Sequence, residues 1–504
     1  MLAEQLVKIG SLISTIREKN RLTQDDLAKM IGTSQSAVAR MEKGEQNFTT
    51  EMLGKISSAL KKDILTLSKG TINFEIEGGH ALKGTAVAKT SKNATMGLLC
   101  AAILNKSTTT LKSVPRIEEV YRMIEVLQSI GVEVKWVGDD VEITPGAKIT
   151  PETMNRESAI KTRSIIMLIG PLIHRFKKFS IPQVGGCKLG SRTVRPHFFA
   201  LEKIGVSIET KEASYVVKRD ILKPVDIILY ESGDTVTENA LMAAALIPGK
   251  TTIKYASANY QVQDLCFFLE QLGVKIEGIG TTTLIVHGVK EINTPITFYP
   301  SEDPTEAMFF IAVAAMTRSP ITIERCPIDF VELELYKLEK MGFKYKILKR
   351  YKAKNGRTNL ADIKTAPSRL TAPDEKIDSR PYPGLNIDNL PFFAVIATQA
   401  AGQTLIHDWV YEKRAIYYTE LDKLGADTIL ADPHRIYITG PTPLRAAEVV
   451  CPPALRPATI ILIGMLAAKG TSVLRNVYSI NRGYEDLANR LTDLGAKIRV
   501  IRDL

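Results

Sequence analysis

The sequence has little cysteine and no long apolar segment. Its 504 residues include only five cysteines, at positions 100, 187, 266, 326 and 451, and no two have the spacing of metal ligands. We therefore expect no disulfide framework, no metal site and no metal cofactor, so that any cysteine chemistry relies on a single thiol. No apolar run reaches the roughly 18 residues of a membrane span, and the first residues lack the pattern of a secretory signal. These absences predict a cytoplasmic protein with no membrane partner.

Charge and length narrow the class of protein further. Lysine and arginine number 66 against 55 acidic residues, which gives a net charge of +11. This excess favours anionic partners, either phosphorylated small molecules or nucleic acid, without choosing between them. Hydrophobic residues make up 45% of the chain, as in folded proteins, and a chain of this length usually forms two to four domains.

Short amphipathic helices are predicted in the first 70 residues. Apolar residues at helical spacing predict a first helix over 9–20. A second helix is expected to be capped by Thr23 and broken at Gly32, and a third is expected to stop at Gly44. A fourth helix is predicted from about 50 to 61. Brief helices joined by a glycine-containing turn are typical of a helix-turn-helix module.

The stretch LTQDDLAKMIGTSQSAVARMEKGEQNFTTEMLGKISSAL resembles the Cro/repressor-type DNA-binding domains over nearly its whole length. The resemblance implies DNA as a partner of residues 1–70. The implied DNA-contacting residues are Gln24 on phosphate and Gln35, Ser36 and Arg40 facing the major groove. The module carries eleven basic and eight acidic residues, so one copy should bind DNA weakly and a homodimer would help. The alternative is a four-helix packing module whose polar face is merely solvated.

The rest of the chain contains a sixfold repeat. A leucine, three residues, a glycine and an apolar residue recur with the glycines at positions 131, 205, 273, 342, 425 and 495, which are 68 to 83 residues apart. Each copy predicts the end of a helix, a glycine C-cap and then a strand. An apolar helix followed by a polar turn and a strand recurs in the same register. Units of about 70 residues are too small to stand alone, and three together make an ordinary domain. The repeat therefore predicts two similar domains with a cleft between them.

The widest repeat spacing contains a strongly basic run. From Lys344 to Arg357 there are seven basic residues and no acidic one. We interpret this run as a solvated hairpin rather than a nucleic-acid site.

Several polar residues interrupt apolar surroundings in ways that suit chemistry. Lysine and arginine at a helix start or in a glycine-rich loop suit a phosphate or a carboxylate. A cysteine in such a loop, beside Lys188, should have a lowered pKa and be reactive. Taken singly, each has an ordinary structural alternative. The segments are TSKNAT with Lys92 and Asn93, VGGCKLGSR with Cys187 and Arg192, SINRGYE with Arg482, and the positions Asp303, Arg163 and Arg414.

Taken together, these segments and the six repeats resemble the enolpyruvyl transferases in collinear order over about 430 residues. The resemblance implies an α+β fold, an inside-out α/β barrel of two domains that close around substrates. The implied domains are 74–91 with 302–504, and 92–301 with the catalytic loop, after the helix-turn-helix domain at 1–70. The implied reaction moves the enolpyruvyl group of phosphoenolpyruvate to the 3-hydroxyl of an amino sugar, with phosphate release. The GGC loop, which the shikimate-using branch lacks, favours the branch that uses UDP-N-acetylglucosamine for peptidoglycan precursors.

The resemblance also implies roles for individual residues. Lys92 contacts phosphoenolpyruvate, and Asn93 contacts the amino sugar. Cys187 acts as the general acid on the methylene carbon, and Asp303 takes the proton of the sugar hydroxyl. Arg192, with Arg414 and Arg482, surrounds the anionic groups, and Arg163 lies behind the catalytic loop. Arg163 and Arg456 are also expected to bind substrate.

Three departures from the family pattern bear on the acceptor and on the rate. Arg195 stands where an aspartate usually contacts uracil, and Ala454 stands where the family has an active-site carboxylate. The loop that holds the diphosphate reads ESGDT over 231–235, which adds acids where an anion should rest. Two hypotheses follow besides a plain transferase: a transcription regulator whose transferase-like body senses a sugar nucleotide, and a bifunctional enzyme that represses genes.

Overall fold

The computed structural model describes residues 2–20, 22–45, 50–60, 71–146, 148–184 and 193–502. The chain divides into two compact units, one of Met1–Asn73 with Val500–Leu504 and one of Phe74–Arg499. Within the described residues, no helix is both long and apolar enough to cross a membrane.

The first unit is a set of helices around a small apolar core. Its helices are α1 (Leu2–Lys19), α2 (Gln24–Ile31), α3 (Gln35–Lys43) and α4 (Thr50–Ala59). The predicted cap at Thr23 is confirmed, since its side chain accepts from the Asp26 backbone N–H in a capping box. The predicted stops are confirmed at Gly32 and Gly44, which have φ of 70° and 73°. The predicted start of the first helix at residue 9 is wrong, because the helix begins at Leu2. The core side chains include Ile13, Leu27, Val38 and Ile56.

The second unit mixes helices and strands. Its helices are α5 (Lys92–Ala101), α6 (Glu118–Ser129), α7 (Arg156–Lys161), α8 (Ile169–Leu172), α9 (Arg195–Glu202), α10 (Asp234–Ala245), α11 (Tyr260–Gln271), α12 (Pro304–Thr317), α13 (Glu332–Lys340), α14 (Leu390–Ala397), α15 (Leu455–Ala467), α16 (Tyr478–Asn481) and α17 (Leu487–Asp493). Short 3-10 segments lie at Ala102–Leu104, Pro151–Thr153, Arg163–Leu168, Ile328–Phe330 and Ala415–Leu424.

The strands of the described chain are β1 (Ile72–Gly78), β2 (Gly84–Val87), β3 (Thr109–Leu111), β4 (Val132–Val137), β5 (Asp140–Pro145), β6 (Lys178–Pro182), β7 (Val206–Lys211), β8 (Ser214–Arg219), β9 (Asp226–Ile228), β10 (Gly249–Lys254), β11 (Lys275–Glu277), β12 (Thr283–Gly288), β13 (Ile296–Phe298), β14 (Ile321–Pro327), β15 (Lys344–Lys352), β16 (Asn359–Ala366), β17 (Leu370–Thr371), β18 (Ile377–Asp378), β19 (Ala400–His407), β20 (Asp427–Asp432), β21 (Arg435–Gly440), β22 (Glu448–Val450), β23 (Gly470–Arg475) and β24 (Lys497–Arg502).

These strands form small sheets with a common plan. Three sheets, ordered β13-β3-β5-β4, β11-β12-β10-β9 and β6-β8-β7, use strands between residues 109 and 298. Three others, ordered β22-β23-β1-β24, β15-β16-β14-β2 and β17-β19-β21-β20, use strands before residue 88 and after residue 320. Most combine an antiparallel hairpin with one parallel edge strand, as in the pairing of β13 with β3. The division of residues 74–504 into two three-repeat domains stays a prediction.

The recurrent glycines end helices, as the repeat predicts. All six have a positive φ between 85° and 100°, a conformation that favours glycine at the end of a helix. The first five are each followed by a two-stranded hairpin, and Gly495 is followed by the single strand β24, which lies beside β1. The fifth repeat differs from expectation, since the segment before its glycine is a 3-10 helix, Ala415–Leu424.

The most apolar helices lie inside, and the sheets lie outside them. Helix α14 is buried along its whole length, and every residue of α12 except the last is buried. The outer strands are largely exposed, as in β15 and β20. A helix that is apolar on all sides needs such a covered position. The arrangement is the inside-out layering that the family resemblance implies.

Candidate active site

Lys92 and Asn93 begin helix α5, whose N-terminus is capped by the Ser91 side chain. The Lys92 Nζ lies 2.8 Å from Oε2 of Glu119, near the start of α6. The Asn93 side chain is half-buried and makes no hydrogen bond to any residue that the structure describes. Lys92 is therefore fixed by a carboxylate, whereas the Asn93 amide retains its capacity for a ligand.

Glu119 joins two of the predicted catalytic residues. Its Oε1 lies 3.4 Å from Nη2 of Arg482, while its other oxygen accepts from Lys92. Burial alone would raise the pKa of this carboxyl, but the charges of Lys92 and Arg482 outweigh burial and lower it. Glu119 is thus an anion that holds two cations side by side. We did not identify it from the sequence, because a glutamate in an amphipathic helix is normally a solvated residue.

Arg456 is the centre of a second cluster. This arginine is 8% exposed and lies near the start of α15. Its Nη1 donates to the Tyr484 hydroxyl at 2.8 Å, and its Nη2 donates to Thr305 Oγ1 at 2.8 Å and to Asp388 Oδ2 at 3.2 Å. Burial opposes the charge of Arg456, but Tyr484 and Asp388 outweigh it and raise the arginine pKa. The planar guanidinium thus fixes several groups at once.

Asp388 precedes helix α14 and lies among three of the predicted cationic residues. Burial would raise its pKa, but the positive charges of Arg456, Arg414 and Lys92 lower it below the usual value. Its Oδ1 accepts no hydrogen bond from any described residue, while Oδ2 accepts from Arg456. We did not identify Asp388 from the sequence, although LNIDNLPFF repeats the pattern of a polar residue before an apolar helix that drew attention to Asp303.

Asp303 caps helix α12. Its Oδ1 accepts from the Thr305 backbone N–H at 2.8 Å, the Thr305 hydroxyl at 2.6 Å and the Glu306 backbone N–H at 3.3 Å. The same Thr305 hydroxyl accepts from Arg456, so Asp303 and Arg456 belong to one hydrogen-bonded group. The structure therefore shows a capping role for Asp303. Its role as the acceptor of a substrate proton stays a prediction.

Arg414 supports the segment that carries Asp388. It is 1% exposed, and its Nη2 donates to Asp408 Oδ1 at 2.9 Å and to the Ile387 carbonyl at 2.8 Å. Its guanidinium also lies 4.2 Å from the centre of the Tyr411 ring. Asp408 is itself fully buried, so each member of the pair compensates the charge of the other. Arg414 thus holds the backbone one residue before Asp388.

Arg163 lies at the start of a 3-10 segment, and its Nη2 donates to the Thr193 carbonyl at 2.9 Å. The predicted Cys187 and Arg192 lie in 185–192, outside the described residues. Arg163 therefore holds the backbone immediately after that segment. No group of at least three His, Cys, Asp or Glu residues that could hold a metal ion occurs in the described part of the chain.

The three departures from the family pattern have distinct environments. Arg195 is the exposed first residue of α9. Asp234 begins α10, and its carboxylate accepts from Ser257 Oγ and from Asn259 Nδ2 at 3.0 Å, while burial raises its pKa. Ala454 is the N-cap of α15 and supplies no side-chain hydrogen bond to that helix. The added acid at 234 is therefore engaged by the protein itself, and the missing carboxylate at 454 leaves a helix uncapped.

The predicted DNA-contacting residues lie on α2 and α3 of the first unit. Gln24 Nε2 donates to Glu42 Oε2 at 2.8 Å, and Gln35 Nε2 donates to Gln24 Oε1 at 3.0 Å. Ser36 and Arg40 are exposed on α3, as is Gln35. The side chains thus form one polar face whose anchor, Glu42, we did not identify from the sequence.

Comparison with known proteins agrees with these features. Residues 76–491 match the family of EPSP synthase (3-phosphoshikimate 1-carboxyvinyltransferase), and residues 13–67 match a helix-turn-helix family. The UDP-N-acetylglucosamine 1-carboxyvinyltransferase of Treponema denticola is 34% identical over 443 residues, which cover 85% of this chain and 99% of that protein. The protein of the same name from Bradyrhizobium diazoefficiens is 32% identical over 436 residues, covering 85% and 98%.

Solved structures show the same fold. The enolpyruvyl transferase NikO from Streptomyces tendae superposes with a TM-score of 0.74 at 23% identity, over 86% of this chain and all of that one. EPSP synthase from Acinetobacter baumannii gives a TM-score of 0.65 at 19% identity, over 86% of this chain. The predicted fold class and enzyme class are confirmed. The chain belongs to the EPSP synthase family of enolpyruvyl transferases and carries a helix-turn-helix domain before its transferase body.

Proposed function

We propose that this protein is a cytoplasmic enzyme that transfers the enolpyruvyl group of phosphoenolpyruvate to the 3-hydroxyl of UDP-N-acetylglucosamine or a related sugar nucleotide. The reaction releases phosphate and serves peptidoglycan precursor synthesis. The relatives at 32% to 34% identity carry the name of that activity. The observation that carries the proposal is the bridge of Glu119 between Lys92 and Arg482, because it fixes two cations for an anionic donor.

The cations would bind phosphoenolpyruvate and stabilise the departing phosphate. Glu119 neutralises one of the two charges, so Lys92 and Arg482 together keep a net positive charge. Fixed cations in a water-poor site stabilise developing negative charge more than mobile ones in solvent do. Asn93, whose amide keeps its hydrogen-bonding capacity, would contact the amino sugar.

Asp388 would accept the proton of the sugar hydroxyl as its oxygen attacks C2 of phosphoenolpyruvate. Its lowered pKa keeps it ionised at neutral pH, and its Oδ1 accepts no hydrogen bond from described residues. Asp303 is the candidate that the sequence predicts; three donors share its Oδ1, and its Oδ2, like Oδ1 of Asp388, accepts no hydrogen bond from a described residue. Because three cations outweigh burial and lower the pKa of Asp388, we assign proton acceptance to Asp388 and helix capping to Asp303.

The methylene carbon of phosphoenolpyruvate must gain a proton when the new C–O bond forms. We assign this general acid to Cys187, which the family resemblance implies and which lies outside the described residues. Loss of a proton from the resulting methyl group and cleavage of the C–O bond to phosphate then restore the enolpyruvyl double bond. Cys187→Ser should lower or abolish phosphate release without changing the stability of the fold, whereas Cys187→Asp keeps an acid and should retain activity.

The direct test is phosphate release from phosphoenolpyruvate with a panel of nucleotide sugars. Turnover with UDP-N-acetylglucosamine supports the proposal, and turnover only with another sugar nucleotide corrects the acceptor. Arg195→Asp tests uracil recognition, because a guanidinium offers only donors to the uracil N3–H. The variant should bind UDP-N-acetylglucosamine about ten- to a hundredfold more tightly in calorimetry. Equal affinities would remove Arg195 from nucleotide recognition.

We infer DNA binding by residues 1–70 as a second function, because this part matches a helix-turn-helix family and presents Gln35, Ser36 and Arg40 on an exposed face. In this case the transferase body either senses a sugar nucleotide or acts as an enzyme alongside gene repression. Arg40→Ala should weaken binding to a selected DNA sequence in a gel-shift assay. Tight sugar-nucleotide binding without turnover would favour the sensor.

A further inference from the structure

The basic run from Lys344 to Arg357 forms most of a hairpin on an exposed sheet. Strands β15 and β16 pair antiparallel, and β15 is the edge strand of the sheet β15-β16-β14-β2. The predicted hairpin is therefore confirmed, whereas its interpretation as a solvated hairpin rather than a nucleic-acid site is revised below. The transferase chemistry assigns it no role.

Three lysines share the outer face of this hairpin, which we call the lysine face: Lys344, Lys346 and Lys364. Lys344 and Lys346 are two residues apart on β15, and Lys346 stands directly opposite Lys364 on β16. All three are exposed, and none has a carboxylate within ion-pair distance among the described residues. The opposite face differs, since Tyr345 there lies near Glu339 and Glu332 of α13.

Protection of an edge strand, the usual structural explanation for exposed lysines in a sheet, accounts for only two of these three lysines. Lysines on an edge strand prevent the strand from pairing with another chain, which accounts for those on β15. Lys364 lies on β16, which is paired on both sides and has no free edge. A lysine directly across from Lys346 is unfavourable in a sheet, because like charges repel at this distance. Asp362, two residues before Lys364 on the same face of β16, already accepts from the Arg325 backbone N–H and the Tyr351 hydroxyl, so it offsets the repulsion in part. An anionic partner on this face would offset the rest.

The anionic partner that fits the rest of the chain is duplex DNA. The helix-turn-helix part carries eleven basic and eight acidic residues, so its own charge contributes little to phosphate binding. Lysine contacts to phosphate supply most of the sequence-independent affinity of DNA-binding proteins. We propose that the lysine face of the transferase body binds the phosphate backbone of duplex DNA, as a second contact surface in addition to the helix-turn-helix. This inference rests on the DNA binding proposed above.

The test compares two triple variants of the full chain that have the same change in charge. K344Q/K346Q/K364Q removes the lysine face. K135Q/K211Q/K275Q removes three lysines that are 66%, 61% and 69% exposed on other sheets and are each paired with a glutamate. Binding of a labelled duplex of arbitrary sequence is measured by fluorescence anisotropy between about 50 and 200 mM salt. Phosphoenolpyruvate-dependent phosphate release is the control for folding and should be unchanged in both.

We expect the lysine-face variant to bind about tenfold more weakly and to lose about 2 to 3 from the slope of log affinity against log salt. The control variant should retain most of the wild-type slope. Equal losses in the two variants, or no loss in the first, would overturn the inference while DNA binding by the helix-turn-helix stands. Loss of binding to phosphatidylserine vesicles without loss of DNA binding would assign the face to a membrane instead. Absence of DNA binding by the wild type would overturn both proposals.

Discussion

The roles of two carboxylates near Arg456, the buried Asp303 and the partly exposed Asp388, can be distinguished by replacing each with its isosteric amide. Asp388→Asn removes the negative charge beside Arg456 and makes the side chain a poor proton acceptor. Asp303→Asn also removes a charge, but asparagine caps helices as well as aspartate does. Its Oδ1 can still accept from the three donors that hold the start of α12. We therefore expect the first substitution to abolish most turnover and the second to leave it near the wild-type value.

The magnitude for Asp388→Asn follows from its two functions. A positioned general base contributes about 10²- to 10⁴-fold to the rate, which corresponds to about 3 to 5 kcal/mol of activation free energy. The charge-assisted bond with Arg456 contributes on the order of 1 to 3 kcal/mol to stability. The Asp388 side chain is 28% exposed, so the loss of stability should lie near the lower value. The loss of rate should thus far exceed any effect of unfolding.

The assay measures kcat and KM for phosphate release from pH 5 to 9, with urea unfolding of each variant alongside. Removal of the base should abolish the fall of kcat on the acid side of the profile, and phosphoenolpyruvate binding by calorimetry should change little. Arg456→Lys is a useful companion, since lysine keeps the charge but cannot bond Tyr484, Thr305 and Asp388 together.

A reversed outcome would refute this reasoning. If Asp303→Asn loses turnover by 10²-fold or more with unchanged stability, while Asp388→Asn remains active, then Asp303 is the proton acceptor, as the sequence predicts. If both variants are inactive and both are stable, the two carboxylates act together, and the hydrogen bonds of Asp303 do not describe its role.

Three further predictions concern stability. Glu42→Ala should lower the free energy of unfolding of the helical unit by about 2 kcal/mol in a urea titration, because it leaves the buried Arg17 with only the exposed Glu18 as counter-charge; an unchanged midpoint would contradict this. Ala454→Asp should raise thermal stability by about 1 kcal/mol by capping α15, and a lower melting temperature would show that burial outweighs the cap. Burial raises the pKa of Asp264 to about 7, so the folded protein binds a proton that the unfolded chain releases near pH 4. Wild-type stability should therefore fall relative to Asp264→Asn as pH rises from about 4 to 7, by at most about 4 kcal/mol, and parallel pH profiles would contradict this.

The sequence predicted the ends of several helices correctly, because helix ends depend on the residues that form them. The caps at Thr23 and Gly44 and the helix-ending glycines of the repeat follow from backbone conformations that few residues adopt. The extent of α1 was missed, although Leu2, Leu6 and Ile9 continue the helical spacing of the apolar residues that were used to find it.

The site residues that sequence reasoning missed, Glu119 and Asp388, were missed for a different reason. Glu119 and Asp388 acquire their roles from partners far away in the sequence, Lys92 and Arg456. Nothing in EEVYRMIEVL or LNIDNLPFF distinguishes a buried carboxylate from a solvated one, since both residue types are normally exposed. The segments that carry Lys92 and Arg482 were found because a cation beside an apolar helix is unusual, whereas the anion that compensates it is not. The sequence thus indicates the cations of a buried network more readily than its carboxylates.

The ion pairs within the site also limit the positive charge that the described residues can offer to a bound substrate. Glu119 compensates Lys92 and Arg482 in part, and Asp388 and Asp408 compensate the two buried arginines, Arg456 and Arg414. Such pairing keeps buried cations stable before substrate binds. It also leaves about one positive charge to meet the several negative charges of phosphoenolpyruvate. Further positive charge must come from outside these pairs, and the family resemblance implies Arg192 as one source of it.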